Sequence, residues 1–177
     1  MEIGPPPDAV VLCGGRSRRM GHDKASLPFG HGTLLEHLLG RLAGVTGRIV
    51  LAAASGQPVP SGWRVSRDPR PGAGPLPGLI EALAQVDARQ VFVVAVDMPL
   101  LQPALVPLLA DAARAAEGAV PRVHQRDQPA CAVYDAAALR RAASSVADAS
   151  HQSLRGFVQA LRLVSVPEER VRTVDPD

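Results

Sequence analysis

"AVVLCGGRSRRMGHDKA", Ala9 to Ala25, passes from an unbroken apolar run into two glycines and then into three arginines and a lysine within ten positions. A continuous apolar run ending in glycine is the pattern of a central parallel strand buried on both faces. Gly14 and Gly15 remove side chains where a ligand would have to touch backbone, and their N–H groups can then point at anionic oxygens. Arginine holds a phosphate through two nitrogens, whereas lysine acts as a mobile point charge. The stretch therefore points to a phosphate-rich substrate, the alternative being a basic surface loop after a strand.

Working outward, "TLLEHLLGRLA" (33–43) has helical period, with Leu34, Leu35, Leu38, Leu39 and Leu42 on one face and Thr33 suited to the N-cap. "RIVLAAA" (48–54) and "WRVS" (63–66) read as strands, followed by the Pro- and Gly-rich "RDPRPGAGPLPG" and a helix over 79–86. "VFVVAV" (91–96) is the clearest buried strand, stopped by "DMPLL". A helix is expected over 103–116, then strands in "AVPRV" and "QPACAVY", then helices over 136–147 and 153–161. Alternating strands and helices predict an α/β protein, a three-layer sandwich around a mostly parallel sheet. In such sheets ligands bind beyond the carboxyl ends of the strands. That rule selects the loops after Cys13, Ser66 and Val96, where Gly, Arg, Lys and Asp concentrate.

Composition narrows the function classes. The chain has 177 residues, 46% hydrophobic and 20% charged, enough for a sizeable core in which aromatics, at 3%, take little part. A net charge of +2 with scattered basic residues does not suggest a nucleic-acid coat or a membrane-surface protein. Cys13 and Cys131 form no CxxC, which favours a reducing compartment. The opening shows no basic stretch before its short apolar run, so no signal peptide is expected, and no apolar segment approaches the roughly 20 residues that span a bilayer. A cytoplasmic location is the expectation.

Two better-known phosphate loops do not fit. GxxxxGK followed by Ser or Thr is absent, and "GGRSRR" lacks the third glycine of GxGxxG. Instead "LCGGRSRRMGHDK" resembles the L-x-G-G-x-x-x-R-M-G-x-D-K signature of the molybdenum cofactor guanylyltransferases, with Gly14, Gly15, Arg19, Met20, Gly21, Asp23 and Lys24 in register. The resemblance implies a Rossmann-like sheet of the nucleotide-diphospho-sugar transferase type, formed by one domain over residues 1–177. It implies a nucleotide site containing Leu12, Cys13, Gly14, Gly15, Arg19 and Lys24, with Arg19 and Lys24 near the reacting phosphates of GTP. Met20 then plugs the underside of the loop, and Asp23 is a structural partner.

Asp68, from its position alone, either accepts from a base edge or sugar hydroxyl or caps the next turn. "D…GPLPGL" resembles a further family motif, with Pro77 in place of alanine, which implies that Asp68, Gly74 and Gly78 lie at the nucleoside end. The resemblance of "LCGG" and "GPLPGL" to the family's segments, where cytidylyl-transferring relatives usually have Ala-Gly in place of the double glycine, implies guanine rather than cytosine. Asp97, at the end of the best core strand, either starts a turn or holds a cation. The resemblance of "VDMPLL" to a family CDxPxL motif implies Mg²⁺ there, with Arg19, Lys24 and Asp97 as the catalytic set.

The implied reaction is transfer of GMP from GTP to molybdopterin, with partners among cofactor-insertion and molybdoenzyme-maturation proteins. The alternatives are cytidylyl or sugar-phosphate nucleotidyl transfer, or a nucleotide-binding module without turnover. Arg126, Asp127 and Gln128 are candidates for the second-substrate side, and Arg155 either meets an anionic partner or is solvated. His124 with Cys131 lacks an orienting acid, and His22, His31, His37 and His151 have no metal-ligand spacing. Two departures stand out: Ala52 occupies the place of a family asparagine, and the chain ends in "VRTVDPD" rather than an NxNTPEDL-like segment.

Overall fold

The computed structural model describes residues 4–13, 23–68, 74–145 and 153–176. Its elements in chain order are β1 (Asp8–Leu12), β2 (Pro28–Phe29), β3 (Gly32–Thr33), α1 (Leu34–Leu42), β4 (Ile49–Ala54), β5 (Arg64–Asp68), α2 (Pro75–Leu83) and β6 (Gln90–Ala95). They continue with α3 (Leu105–Ala112), β7 (Gly118–Val123), β8 (Arg126–Asp127), β9 (Cys131–Asp135), α4 (Ala136–Ser144), α5 (Leu154–Val158), β10 (Leu163–Val166) and α6 (Glu168–Val171). The main sheet runs β10-β7-β9-β6-β1-β4-β5, with β8 paired to β7 off that path. β1 pairs in parallel with both β4 and β6, and β4 in parallel with β5. β9 is antiparallel to β6 and to β7, and β8 is antiparallel to β7.

Alternation along the strands divides the core into two layers. Ala9 and Val11, Leu51 and Ala53, and Phe92 and Val94 face α1, α3 and α6. Val10 and Leu12, Val50 and Ala52, and Val91 and Val93 face α2, α4 and α5. A strand buried on both sides must be apolar at every position, and for this reason "AVVL" and "VFVVA" carry no polar residue. The expected α/β/α sandwich is present.

Local chemistry sets the ends. Thr33 caps α1 in a capping box: its hydroxyl accepts from the Glu36 N–H at 3.2 Å, and Glu36 Oε2 accepts from the Thr33 N–H at 2.8 Å. α2 begins at Pro75, four residues before the expected start at Leu79. Its prolines sit in the first turn, where a helix needs no N–H donor. The third and sixth expected strands also shift: β5 starts at Arg64 rather than Trp63, and β9 at Cys131 rather than Gln128. The helix expected over 103–116 is α3 followed by a 3-10 turn at Ala113–Ala115.

At the amino ends of the strands, the buried carboxylate of Asp8 accepts from Arg48 N–H (2.7 Å), Asp87 N–H (2.8 Å) and Ala88 N–H (3.0 Å). Three such bonds compensate the cost of burying a charge. They fasten the strand starts together and leave the loops at the opposite edge as the variable part. No helix among the described residues is long and apolar enough to cross a membrane.

Candidate functional site

The carboxyl edge of β1, β4, β5 and β6 carries the site. Register places Leu12 beside Ala52 on one side and Ala95 on the other. The Val96 N–H donates to Leu12 C=O at 3.2 Å, and the Cys13 N–H to Ala52 C=O at 2.9 Å. Asp97 therefore emerges one residue beyond a strand end that β1 holds directly. Farther along the same edge, Asp68 is the last residue of β5 and is buried, in register with Ala54.

Lys24 comes to this edge from the other end of the 14–22 stretch. Asp23 caps a single 3-10 turn, Lys24–Ser26, by accepting from the Ala25 N–H at 3.0 Å, and the Ser26 hydroxyl donates to Asp23 C=O at 3.0 Å. Ala25 packs into the core beneath, so the turn is seated while the Lys24 side chain projects to the surface. Lys24 Nζ then lies 2.7 Å from Asp97 Oδ2, both side chains being partly exposed. The second carboxylate oxygen of Asp97 has no hydrogen-bond partner among the described residues.

The loop after Asp97 is pinned from α1. Arg41 Nε donates to Leu101 C=O at 2.7 Å, and its Nη2 to Gln102 Oε1 at 2.8 Å. On the other side, Gly74 precedes α2 at its N-cap, and its φ of +87° is a left-handed conformation that glycine adopts without strain. Gly78 faces the strand ends at close range: a Cβ there would lie 3.6 Å from Ala52 Cβ and 3.9 Å from Asp68 Cβ. Ala52 is accordingly a packing residue under α2. The side-chain amide on this edge belongs to Gln57, which the sequence reading did not single out.

Cys13, at the end of β1, is buried, and burial together with the neighbouring Asp23 carboxylate pushes its thiol up to about 12. Its Sγ–H points to Val11 C=O at 3.5 Å. A thiol that stays protonated is neither nucleophile nor metal ligand. Burial raises Cys131 in the same way, to about 12.

A family model described as the MobA-like NTP transferase domain matches residues 9–166. The chain belongs to this family. The "probable molybdenum cofactor guanylyltransferase" of Mycobacterium avium (strain 104) is 50% identical over 103 residues, covering 55% of this chain and 52% of that protein. The chain thus spans about half the length of the curated relatives it matches. Among solved structures, molybdopterin-guanine dinucleotide biosynthesis protein A from Archaeoglobus fulgidus superposes with a TM-score of 0.76 at 21% identity, over 96% of this chain and 87% of that one. A Mycobacterium tuberculosis H37Rv protein solved as a complex with manganese superposes with a TM-score of 0.66 at 19% identity, over 96% and 98% of the two chains. These likenesses establish the nucleotidyltransferase fold.

Of the expected site residues in this MobA-like domain, Leu12, Cys13, Lys24, Asp68, Gly74, Gly78 and Asp97 fall along one edge of the sheet. Gly14, Gly15 and Arg19, with Arg16, Arg18, Met20, Gly21 and His22, lie outside the described residues, as do Gly72 and His151. The second-substrate candidates lie on the β7–β8 hairpin. The Asp127 carboxylate is engaged there by Arg122 Nε at 2.9 Å and by the Ser165 hydroxyl at 3.1 Å, and the Arg122 guanidinium holds it below the usual carboxylate range. Arg155, exposed, donates to Asp127 C=O at 2.8 Å. Arg122, Asp127, Ser165 and Arg155 together are a strut for the hairpin. Arg126 is exposed on the same hairpin. His124 sits in the hairpin turn with φ +48°, while Cys131 starts β9 as a buried residue. His37 stacks obliquely on Phe29, with ring centroids 4.7 Å apart.

Proposed function

We propose that the chain transfers GMP from GTP to the terminal phosphate of molybdopterin, with release of pyrophosphate. The observation that carries this reading is the meeting of Lys24 with Asp97 at the carboxyl ends of the strands, in a chain of the MobA-like family. The name of its Mycobacterium avium relative supports the choice of substrates. Asp97 lies two residues past the end of β6 and Asp68 ends β5, strands that stand three steps apart across β1 and β4, or about 14 Å at the usual strand spacing. That distance suits a nucleoside with its base at Asp68, Gly74 and Gly78 and its phosphates at Lys24 and Asp97.

In this reading an oxygen of the acceptor phosphate attacks the α-phosphorus of GTP. The bond from that phosphorus to the bridging oxygen breaks, and the electron pair leaves with pyrophosphate. Lys24 and Arg19 hold the departing phosphates, above a backbone floor at Gly14 and Gly15 next to Leu12 and Cys13. The chain itself does little covalent chemistry, so orientation and charge complementarity supply most of the acceleration. Asp97 suits a hard divalent ion such as Mg²⁺: it is a carboxylate at a strand end with one oxygen unpartnered among the described residues. When bound, that ion withdraws charge from phosphoryl oxygens. One domain over residues 1–177, a cytoplasmic location and hand-over to cofactor-insertion proteins complete the proposal.

The test is an assay of the purified chain with molybdopterin, Mg²⁺ and each nucleoside triphosphate in turn. Pyrophosphate and a guanylylated product appearing one for one support the reading. Preference for CTP, or for a sugar phosphate as acceptor, replaces the substrates and keeps the chemistry. Nucleotide binding without pyrophosphate release overturns catalysis.

A further inference from the structure

The turn after β4 is closed twice. The Gln57 N–H donates to Ala54 C=O at 3.1 Å, and the Ala54 N–H donates back to Gln57 Oε1 at 2.9 Å. Gly56, at φ +74°, supplies the left-handed residue that lets the chain reverse there. The Gln57 amide is thereby folded over its own turn, and its Nε2 faces β1. Both of its hydrogens are used, one on Cys13 C=O at 3.0 Å and one on Asp23 Oδ1 at 2.8 Å. These partners fix which way the amide points, because only its oxygen can accept from Ala54 and only its NH₂ can donate to a carbonyl and a carboxylate. Arg67 buttresses the turn by donating to Ala54 C=O at 3.0 Å and to Gln57 C=O.

Cys13 immediately precedes the 14–22 stretch, and Asp23 immediately follows it. One amide from another loop therefore ties both ends, and the second end is the cap of the turn that carries Lys24. The Asp23 carboxylate depends on this tie. Its Oδ2 is buried without a hydrogen-bond partner among the described residues, so Gln57 and the Ala25 N–H serve the group through Oδ1 alone.

We propose that Gln57 is a positioning residue for nucleotidyl transfer, clamping Cys13 to Asp23 so that Lys24 stands opposite Asp97 before the nucleotide arrives. The proposal rests on the nucleotidyltransferase reading above. Its physical basis is preorganisation: loop ends already held in place need not be ordered when the triphosphate binds. Gln57 touches no reacting group, so its effect falls on the nucleotide rather than on the acceptor.

The test compares the wild type with Gln57→Glu and Gln57→Met. The first keeps the shape but turns an oxygen toward Cys13 C=O and the Asp23 carboxylate; the second keeps the length without hydrogen bonds. Gln90→Ala is the control, because it removes an amide that donates to Ala110 C=O at 2.9 Å from the amino end of β6. GTP binding by calorimetry, KM for each substrate and Tm are measured for all four. The expected result is a KM and Kd for GTP raised roughly 10-fold or more in Gln57→Glu, with acceptor KM moving less than about 2-fold. Gln57→Met should show a smaller rise of the same pattern, and Gln90→Ala a lower Tm with unchanged GTP affinity. Wild-type GTP affinity in both Gln57 variants, a parallel rise of both KM values, or failure of both variants to fold overturns the positioning role. A wild-type chain that binds no nucleoside triphosphate instead overturns the functional reading beneath it.

Discussion

Lys24 Nζ lies 2.7 Å from Asp97 Oδ2, joining residues 73 positions apart across the carboxyl edge of the sheet. With its side chains 36% and 47% exposed, the pair sits where water and salt screen it. Exposed pairs of this kind contribute about 0.2–1 kcal/mol. Fold stability is thus a weak reason for the contact, and the proposed role in holding a polyanion and its counter-ion is a better one.

Lys24→Met should therefore separate stability from activity. Tm should fall by no more than about 4 °C for a chain of this size. Nucleotidyl transfer should drop roughly 10²–10³-fold, as for loss of one transition-state stabiliser. Thermal denaturation and pyrophosphate release on the same preparation check both. A large loss of Tm with normal turnover would show the pair to be structural.

The pair also has a consequence for metal binding. In the nucleotide-free chain the Lys24 ammonium competes with any cation for the Asp97 carboxylate. Lys24→Met should tighten Mn²⁺ binding without nucleotide by roughly 10-fold, although it lowers activity. Asp97→Asn should weaken that binding. Electron paramagnetic resonance titration of free Mn²⁺ reads both, and equal affinities in all three proteins would remove Asp97 as the cation ligand.

Cys13 and Cys131 predict an alkaline limb in stability. Both thiols are raised from about 9 to about 12 in the folded chain, chiefly by burial. An acid with a raised folded pKa costs nothing while both states keep the proton. As pH climbs through 9 toward 12, the unfolded chain ionises first and folding weakens. A double Cys→Ala variant should lose less stability between pH 8 and 10.5 than the wild type, measured by urea unfolding. Native thiols should react with thiol reagents at pH 8 only as fast as the chain opens; rapid labelling of the native protein would contradict their burial.

Gly118 predicts a purely structural effect. A Cβ there would stand 2.8 Å from Leu163 Cδ2, 2.8 Å from Tyr134 Cδ1 and 2.9 Å from Val133 C=O. The carbonyl belongs to the neighbouring strand and cannot swing aside. Gly118→Ala should cost about 1–3 kcal/mol, lowering Tm by roughly 2–12 °C. GTP affinity of the folded fraction should be unchanged, and a Tm equal to wild type would mean that β9 and β10 yield easily.

The buried strands β1 and β6 were legible because an uninterrupted apolar run ending in a turn signal has few other readings. α1 was legible because its leucine spacing coincides with the cap at Thr33. Strand direction was not: the "CAVY" of β9 is as apolar as a parallel strand, and nothing in a run buried on both faces records which way it points. β10 and α6 were missed because each is about one turn long or half exposed, too short for periodicity to register. The meeting of Lys24 with Asp97 follows from β1 lying beside β6, a matter of strand order rather than of local sequence. Gln57 carried no signal of its own. A glutamine after a glycine turn is commonplace, and its importance lies in partners 34 and 44 positions away.

Because β9 runs against its neighbours, its beginning rather than its end reaches the rim where Asp97 stands. The β7–β8 hairpin and the 128–130 turn are thus delivered to that rim by a part of the chain separate from the pieces that carry Lys24, Asp68 and Asp97. If the proposed function holds, lengthening or exchanging that hairpin retunes what docks beside the nucleotide and leaves the residues proposed to hold the nucleotide untouched, so acceptor choice and base choice are separable traits.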